Sequence, residues 1–185
     1  MKKVLVIRAS AHANGNSDRL AQEFTNGALA SGNEVEIIDL RTKKIGHCLG
    51  CDYCRNHNGN CALQDDMKEV NQKMLSADVI AFAGPVYYYA INGMLKDCID
   101  RTYAIDHQIK ADFYYLFSSA DQKETSIDSA VACMHGFARC MPKVHEIKTV
   151  YAVEIGNMEI LKEKKLCIRH TRQEKMFRRM YYDNA

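Results

Sequence analysis

An apolar strand, a polar loop and a helix follow one another between Lys3 and Ala30, and this stretch constrains the fold most. The strand reads Val-Leu-Val-Ile at 4–7, and the loop reads Ser-Ala-His-Ala-Asn-Gly-Asn-Ser at 10–17. In an open α/β sheet, ligands bind outside the carboxyl ends of the strands, where such a loop meets a helix N-terminus. The hydroxyls, amides and glycine of the loop, together with the N–H groups of the first helical turn, therefore predict an anion site.

The loop does not match either of the two common nucleotide-binding motifs. A Walker loop ends in Gly-Lys-Ser/Thr and the dinucleotide fingerprint needs three glycines, whereas this loop contains only Gly15. A loop rich in hydroxyls suits a monophosphate. The alternative is an ordinary turn in which Ser17 only caps the helix, and other segments have to decide between the two.

Composition favours a single domain over residues 1–185. The chain is 47% hydrophobic and 26% charged, which is ordinary for a globular protein of this length. Its net charge of +2 makes no general case for nucleic-acid or membrane binding. Neither a membrane-spanning apolar run nor a signal peptide is recognisable, so a cytoplasmic location is predicted. The eight cysteines are then expected to be thiols, metal ligands or core residues before disulfides.

Strand and helix patterns alternate along the chain. Strands are predicted at 4–7, 34–40, 78–83, 112–117 and 148–153, and helices are predicted after the first loop to about 31, from 65 onward, at 93–101 and at about 126–141. A strand, a helix and a strand between Lys3 and Leu40 form a right-handed crossover and hence a parallel sheet. The prediction is an α/β, doubly wound five-stranded sheet with loops at 10–17, 84–89 and 118–122 along one edge.

A cysteine-rich connection at about 42–64 is too long for a plain link between a strand and a helix. Cys48, Cys51, Cys54 and Cys61 follow the pattern C-x2-C-x2-C-x6-C. Three closely spaced thiolates suit three corners of a [4Fe-4S] cluster, with the fourth ligand further along the chain. Structural zinc usually draws two separated C-x2-C pairs, and a metal-free thiol loop is the main alternative.

Other polar features receive structural interpretations. Asp65 and Asp66 precede a helix, so capping is favoured over an acid/base pair. The remaining cysteines are predicted to be buried or incidental, and the histidines show no ligand or triad spacing. The basic tail from about 157 is interpreted as a solvated helix with a frayed end rather than a polyanion-binding segment.

Together, the loops and the cysteine segment resemble the NADPH-dependent FMN reductase and iron–sulfur flavoprotein group of the flavodoxin-like superfamily. The matching segments are Ser10–Leu20, Cys48–Cys61 with Asp65-Asp66-Met67, Gly84–Tyr88 and Leu95–Arg101. The resemblance covers about residues 3–155 and implies a flavodoxin-like sheet with strand order 2-1-3-4-5. His12 stands where the group often has arginine, which implies a weaker, pH-dependent partner for a phosphate.

The resemblance implies an FMN whose phosphate contacts the first loop and whose isoalloxazine ring lies against the second loop, with the third loop beside the ring. The implied cofactor-binding residues are Ser10, His12, Asn16, Ser17, Pro85, Val86, Tyr87, Tyr88, Ser118, Ser119 and Ala120. Core or dimer packing is the alternative for Tyr87–Tyr89. Cys48, Cys51, Cys54 and Cys61 are the candidate ligands of the [4Fe-4S] cluster.

The function implied is an NAD(P)H-dependent flavin or quinone-type reductase in which FMN carries the chemistry and both substrates use one site in turn. One alternative is an iron–sulfur electron carrier, and another is a non-catalytic flavin-binding or regulatory protein. The expected partners are a small-molecule electron acceptor or a ferredoxin-like donor, without nucleic acid or membrane. A homodimer or homotetramer is expected, because a flat ring would lie at an open edge.

Overall fold

The computed structural model describes residues 1–153 and 167–170. These residues contain seven strands and five α-helices. The strands are β1 (Lys3–Arg8), β2 (Glu34–Asp39), β3 (Val79–Tyr87), β4 (Ala90–Ile91), β5 (Asp112–Ser118), β6 (His145–Ala152) and β7 (Cys167–His170). The helices are α1 (Asn16–Ala30), α2 (Tyr53–Asn56), α3 (Met67–Ser76), α4 (Gly93–Arg101) and α5 (Asp128–Arg139). Short 3-10 helices lie at Leu40–Thr42, Thr102–Ala104 and Glu124–Ile127.

Five strands run parallel in the order β2-β1-β3-β5-β6. This confirms the predicted strand order and the α/β class. Val6 of β1 pairs with Ile37 on one side and with Ala81 of β3 on the other, and β3 in turn pairs with β5, so β1 and β3 lie in the interior of the sheet. A parallel strand covered on both faces reads as a continuous apolar run, and residues 79–84 of β3 are all buried.

The two faces of the sheet pack against different helices, because successive side chains of a strand point to opposite faces. On one face, Val6 and Ala81 belong to a cluster with Leu20 and Phe24 of α1. On the other face, Ile7 of β1 joins a larger cluster that includes Phe82, Phe113, Met74 of α3, Leu95 of α4 and Met134 of α5. The helices therefore sandwich the sheet and leave its carboxyl edge for the loops.

The strand β3 extends further than predicted. The sequence placed residues 84–89 in a loop, but Gly84 pairs with Phe117 and Pro85 pairs with Ser118 of β5. The chain then reverses, and Tyr87 pairs with Ala90 in the antiparallel β4. Pro85 and Val86 are therefore strand residues, and only the tip of the predicted loop is a turn.

The sheet also gains an edge strand that the sequence did not predict. The basic tail from about 157 lies outside the described residues except at Cys167–His170, which form β7. Ile168 pairs antiparallel with Val150 of β6. The helix interpretation is wrong for these four residues, because the open edge of β6 offers unpaired backbone groups to a strand. No helix among the described residues has the length and apolar content needed to cross a bilayer.

Candidate functional site

The three predicted loops lie side by side at the carboxyl edge of the sheet, because β1, β3 and β5 are neighbouring parallel strands. Two side chains connect them. The Asn92 carboxamide donates hydrogen bonds to the carbonyl oxygens of Ala9 at 2.8 Å and Pro85 at 3.3 Å, which links the first loop to the second. The Tyr89 hydroxyl donates to Asp121 Oδ2 at 2.8 Å, which links the second loop to the third.

The first loop leads directly into α1 and presents N–H donors. The helix begins at Asn16 with Gly15 as its N-cap and without a side-chain cap, so the interpretation of Ser17 as the cap is wrong. The N–H of Arg19 donates to the Gly15 carbonyl oxygen at 3.0 Å. The N–H groups before it in the helix have no helical acceptor, and they lie at the positive end of the helix dipole.

Ser10 determines how tightly the first loop turns. Its hydroxyl donates to the His12 carbonyl oxygen at 3.0 Å and accepts from the His12 N–H at 3.3 Å. A Cβ added at Gly15 would lie 3.3 Å from the His12 carbonyl oxygen and 3.5 Å from Ser10 Oγ. A larger residue at Gly15 would therefore press on the loop. A tight turn that leads into a helix N-terminus fits a phosphate.

Two arginines and two aspartates form a charged network behind the first loop. Arg8, at the end of β1, and Arg41 both pair with Asp39 at the end of β2. Asp18 accepts the Asn14 N–H at 3.1 Å and lies 3.8 Å from Arg8 Nε and 3.4 Å from an Arg41 Nη. The hydrogen bond from Arg41 holds the pKa of Asp39 far below its ordinary value, although burial opposes the shift. The two arginines thereby offset the negative charge of Asp18 at the start of α1.

The second loop is a tight turn with an exposed aromatic tip. Tyr88 and Tyr89 have φ angles of 49° and 60°, in the left-handed region that residues other than glycine seldom adopt. Positive φ at both central positions is the pattern of a two-residue type I′ hairpin. Tyr88 is 101% exposed, so core packing is wrong for this side chain. A strained turn that presents an aromatic ring at the edge of a site is typical of functional loops.

The predicted third loop starts one residue later than expected, because Ser118 is the last residue of β5. Ser118 and Ser119 are buried, whereas Ala120 is exposed. The Ser119 N–H donates to the Ala152 carbonyl oxygen at 2.9 Å, and Ser119 Oγ accepts the Asp121 N–H at 3.2 Å. Ser119 therefore positions Asp121, which receives the hydrogen bond from Tyr89. The structure thus brings every predicted loop residue to one edge, with the serines of the third loop set deeper than Ala120.

Comparison with known families agrees with this arrangement. A sequence model of the NADPH-dependent FMN reductase family matches residues 2–141. The chain belongs to that family. The match contains all three loops, the charged network and the cysteine segment.

Curated relatives of this FMN reductase family member include iron-sulfur flavoproteins and azoreductases. An iron-sulfur flavoprotein from Methanocaldococcus jannaschii is 36% identical over 100 residues, which cover 54% of this chain and 51% of the relative. An FMN-dependent NADPH-azoreductase from Staphylococcus aureus is 28% identical over 99 residues, which cover 54% of this chain and 51% of the relative. The chain spans about half the length of these curated relatives.

Solved structures with the same fold include further oxidoreductases. The NAD(P)H:quinone oxidoreductase from Methanothermobacter marburgensis superposes with a TM-score of 0.64 at 18% identity, over 84% of this chain and 87% of that protein. The FMN-dependent NADH-azoreductase from Bacillus anthracis, solved in complex with FMN, has a TM-score of 0.58 at 13% identity, over 82% and 87% of the two chains. At such identities the likeness establishes the flavodoxin-like fold alone.

In this FMN reductase family member, the cysteine segment is a surface loop whose two ends are held together by Arg101. The Arg101 guanidinium donates to both carboxylate oxygens of Asp65 at 2.7 Å and 2.9 Å, and to the Gly46 carbonyl oxygen at 2.8 Å. The N-cap of α3 is Asp66, whose side chain makes no capping bond, so the capping prediction is right for its position but not for its hydrogen bond. Asp65, one residue earlier, accepts the Met67 N–H at Oδ1 at 3.2 Å in addition to its ion pair with Arg101.

The four cysteines of the segment are not gathered into one ligand set. Cys48 and Cys51 are exposed, whereas Cys54 and Cys61 are half-buried. Across residues 1–153 and 167–170, no three cysteine, histidine, aspartate or glutamate side chains are grouped so that they could hold a metal ion. Burial raises the pKa of the Cys54 thiol, against the opposing charge of Arg55. The four-cysteine ligand set for a cluster therefore stays a prediction.

Sequence reasoning missed three contributions to the site. Asn92 precedes a helix, which is a readable N-cap signal, but its bridge between β1 and β3 has no sequence signal. Arg101 is part of the family-like segment Leu95–Arg101, but no local pattern indicates that its side chain closes the cysteine segment. Arg8 and Asp39 end two neighbouring strands at paired positions, and these opposite charges were a signal that could have been used.

Proposed function

We propose that the chain binds FMN across the three loops and transfers reducing equivalents from NAD(P)H to a small-molecule acceptor of the flavin, quinone or azo class. The observation that carries the proposal is the hydrogen-bonded convergence of the three loops at one sheet edge, through Asn92 and Tyr89. Membership of the NADPH-dependent FMN reductase family supports it. The names of the azoreductase relative and of the quinone oxidoreductase neighbour support the acceptor class.

The first loop has the chemistry of a phosphate site. Ser10, His12, Asn16 and Ser17 would hold the phosphate, with help from the N–H groups at the start of α1. Arg8 and Arg41 compensate the charge of Asp18, so this acid does not leave an unbalanced negative charge beside a dianion. Phosphate binding here needs no lysine.

The second and third loops have the chemistry of a site for a flat, amphipathic ring. Pro85 and Val86 are half-buried and uncharged, and Tyr87 is 45% exposed. These residues would cover one face of the ring, while Ser118–Ala120 would flank its edge. The opposite face would remain open to a nicotinamide and then to the acceptor, so we expect ping-pong kinetics. The same open face underlies the expectation of a homodimer or homotetramer.

When FMN is bound, it supplies the redox chemistry by accepting a hydride and passing the electrons on. The chain's own residues bind and orient the cofactor and exclude water from one ring face. N–H groups of the loops would donate hydrogen bonds to the ring, and no side-chain base is required. The activity is therefore expected to depend on loop geometry rather than on one catalytic side chain.

The test combines flavin binding with steady-state kinetics. We expect the purified chain to bind added FMN and to oxidise NADPH or NADH with a quinone acceptor, giving parallel double-reciprocal plots. Ser17→Ala should weaken FMN binding by about tenfold through loss of a hydroxyl at the phosphate. Ser31→Ala, which removes a hydroxyl at the opposite end of α1, is the matched control and should leave binding unchanged. A chain that takes up no FMN overturns the proposal.

A second candidate function is an iron–sulfur flavoprotein that receives electrons from a ferredoxin-like donor. The C-x2-C-x2-C-x6-C spacing on a loop closed by Arg101 favours it, as does the 36% identity over 100 residues to a relative of that name. Anaerobic reconstitution with iron and sulfide tests it: about four irons per chain are expected, and Cys51→Ser should abolish binding. Cys140→Ser, at an exposed cysteine outside the segment, is the control. A reconstituted chain without iron excludes this function.

A further inference from the structure

The hydrogen-bond ladder between β1 and β3 ends at a proline. The Ala9 N–H donates to the Ala83 carbonyl oxygen at 2.7 Å, so the next bond of a parallel ladder would come from the N–H of residue 85 to the Ala9 carbonyl oxygen. Pro85 has no N–H to donate. The Asn92 carboxamide supplies the missing donor instead, with Nδ2 at 2.8 Å from the Ala9 oxygen and 3.3 Å from the Pro85 oxygen.

The Asn92 side chain is fixed at both ends of its carboxamide. Its Oδ1 accepts the Leu95 N–H at 3.1 Å and so caps α4, while its Nδ2 makes the two bonds between strands. The residue is only 3% exposed. A Cβ at Gly84 would lie 2.8 Å from Asn92 Nδ2, so the absence of a side chain at Gly84 makes room for the bridge. Asn92, Gly84 and Pro85 therefore act as one unit.

This unit lies between the two halves of the proposed FMN site. The first loop starts directly after Ala9, and the ring loop starts at Pro85. The positions of these two residues relative to each other therefore set the distance from the phosphate site to the ring site. In the proposed site FMN would engage both loops, whereas riboflavin, which lacks the phosphate, would engage only the ring loop.

We infer that Asn92 is a positioning residue that sets the spacing of the phosphate and ring loops and thereby gives the chain its preference for FMN over riboflavin. The inference rests on the proposed function. Asn92 acts through the backbone of Ala9 and Pro85 and does not itself contact the cofactor. Its loss should therefore cost FMN more affinity than it costs riboflavin, because only FMN depends on the spacing.

The test compares FMN and riboflavin affinities by fluorescence titration of the flavin-free chain of residues 1–185. Asn92→Ser keeps a side chain able to cap α4 but too short to bridge the strands. We expect the ratio of FMN affinity to riboflavin affinity to fall by about tenfold, as loss of one to two net hydrogen bonds implies. Asn33→Ser is the matched control, because Asn33 bridges backbone groups at the opposite edge and its loss should leave the ratio unchanged.

A second variant covers the case in which Asn92→Ser folds poorly. Gly84→Ala keeps the carboxamide but displaces it, and the same fall in the ratio is expected. A variant that weakens both flavins by the same factor, or weakens neither, shows that Asn92 is only structural and overturns the inference. If the wild-type chain binds neither flavin, the proposed function itself fails. If the wild-type chain prefers FMN and the variants keep the same preference, the role of Asn92 is refuted while the proposed function stands.

Discussion

Arg101 and Asp65 form a two-point ion pair, with guanidinium nitrogens 2.7 Å and 2.9 Å from the two carboxylate oxygens. Arg101 is only 2% exposed and is among the largest fully buried side chains of the described residues. The same guanidinium bonds the Gly46 carbonyl oxygen, at the other end of the cysteine segment. One side chain of α4 therefore closes a surface loop of about twenty residues onto the core.

Replacing Arg101 by methionine should destabilise the fold strongly. Methionine retains apolar volume but leaves Asp65 without its cation, so we expect the free energy of unfolding to fall by about 3 kcal/mol in urea denaturation. Lys96→Met is the control, because its pair with Asp100 is exposed, with side-chain exposures of 49% and 43%. That change should cost at most about 0.5 kcal/mol. Equal losses of unfolding free energy in the two variants would contradict a stabilising role for the buried Arg101–Asp65 pair.

Acid should weaken the same ion pair. Burial acts to raise the pKa of Asp65, but hydrogen bonds from Arg101, Gly46 and Met67 outweigh it and leave the pKa below its ordinary value of 3.8. A carboxylate with a depressed pKa contributes stability above its unfolded pKa and loses it as pH falls through the folded pKa. The stability advantage of the wild type over Arg101→Met should be constant above about pH 5 and shrink below about pH 4. An advantage that grows on acidification in urea titrations would contradict this sign.

Cys98 should resist alkylation in the native chain. It is fully buried in α4, and burial raises the pKa of its thiol to about 12. Cys48 and Cys51 are exposed, so iodoacetamide at about pH 8 should modify them at least about 100-fold faster, as read by peptide mass spectrometry. All of these thiols should react alike after denaturation, which serves as the control. Native labelling of Cys98 at the rate of Cys51 would contradict the burial.

The left-handed turn should tolerate asparagine better than tyrosine at its tip. Tyr88 has a φ of 49° and is fully exposed, so Tyr88→Asn relieves backbone strain without loss of packing. We expect a gain of about 0.5–1 kcal/mol in unfolding free energy. If the tyrosine ring borders the flavin, NADPH oxidation should fall at the same time. Tyr87→Asn, in β3, should instead lose stability because asparagine is a poor strand residue, and a gain there would refute the strain argument.

An arginine at position 12 should tighten FMN binding. His12 is exposed in the first loop, and arginine would add a permanent, two-pronged cation beside the proposed phosphate. We expect the Kd for FMN to fall by about fivefold, with a gain that decreases at high salt. Riboflavin, which lacks the phosphate, is the matched control ligand and should bind as before. An equal fall in the Kd values of both flavins would mean that the phosphate does not bind beside position 12.

Much of the fold could be read from local patterns. The apolar run of β3, the alternation of strands with amphipathic helices and the position of α4 at residues 93–101 were all predicted, because burial and helical period act over a few neighbouring residues. The prediction from local patterns was wrong where pairing with a distant strand lengthened an element or created a new one. Pro85 is in β3 because it pairs with Ser118, and residues 167–170 form a strand because they pair with β6.

The sequence by itself determined the α/β class and the three loops at one edge, since these follow from apolar periodicity and right-handed crossovers, and its family resemblance implied the strand order. Only the tertiary structure decided which side chains join the loops. Asn92 reaches the Ala9 carbonyl across 83 positions, and Arg101 reaches the Gly46 carbonyl across 55. Such contacts depend on how closely distant backbone segments approach after the sheet has formed, and no local pattern of residues encodes that approach.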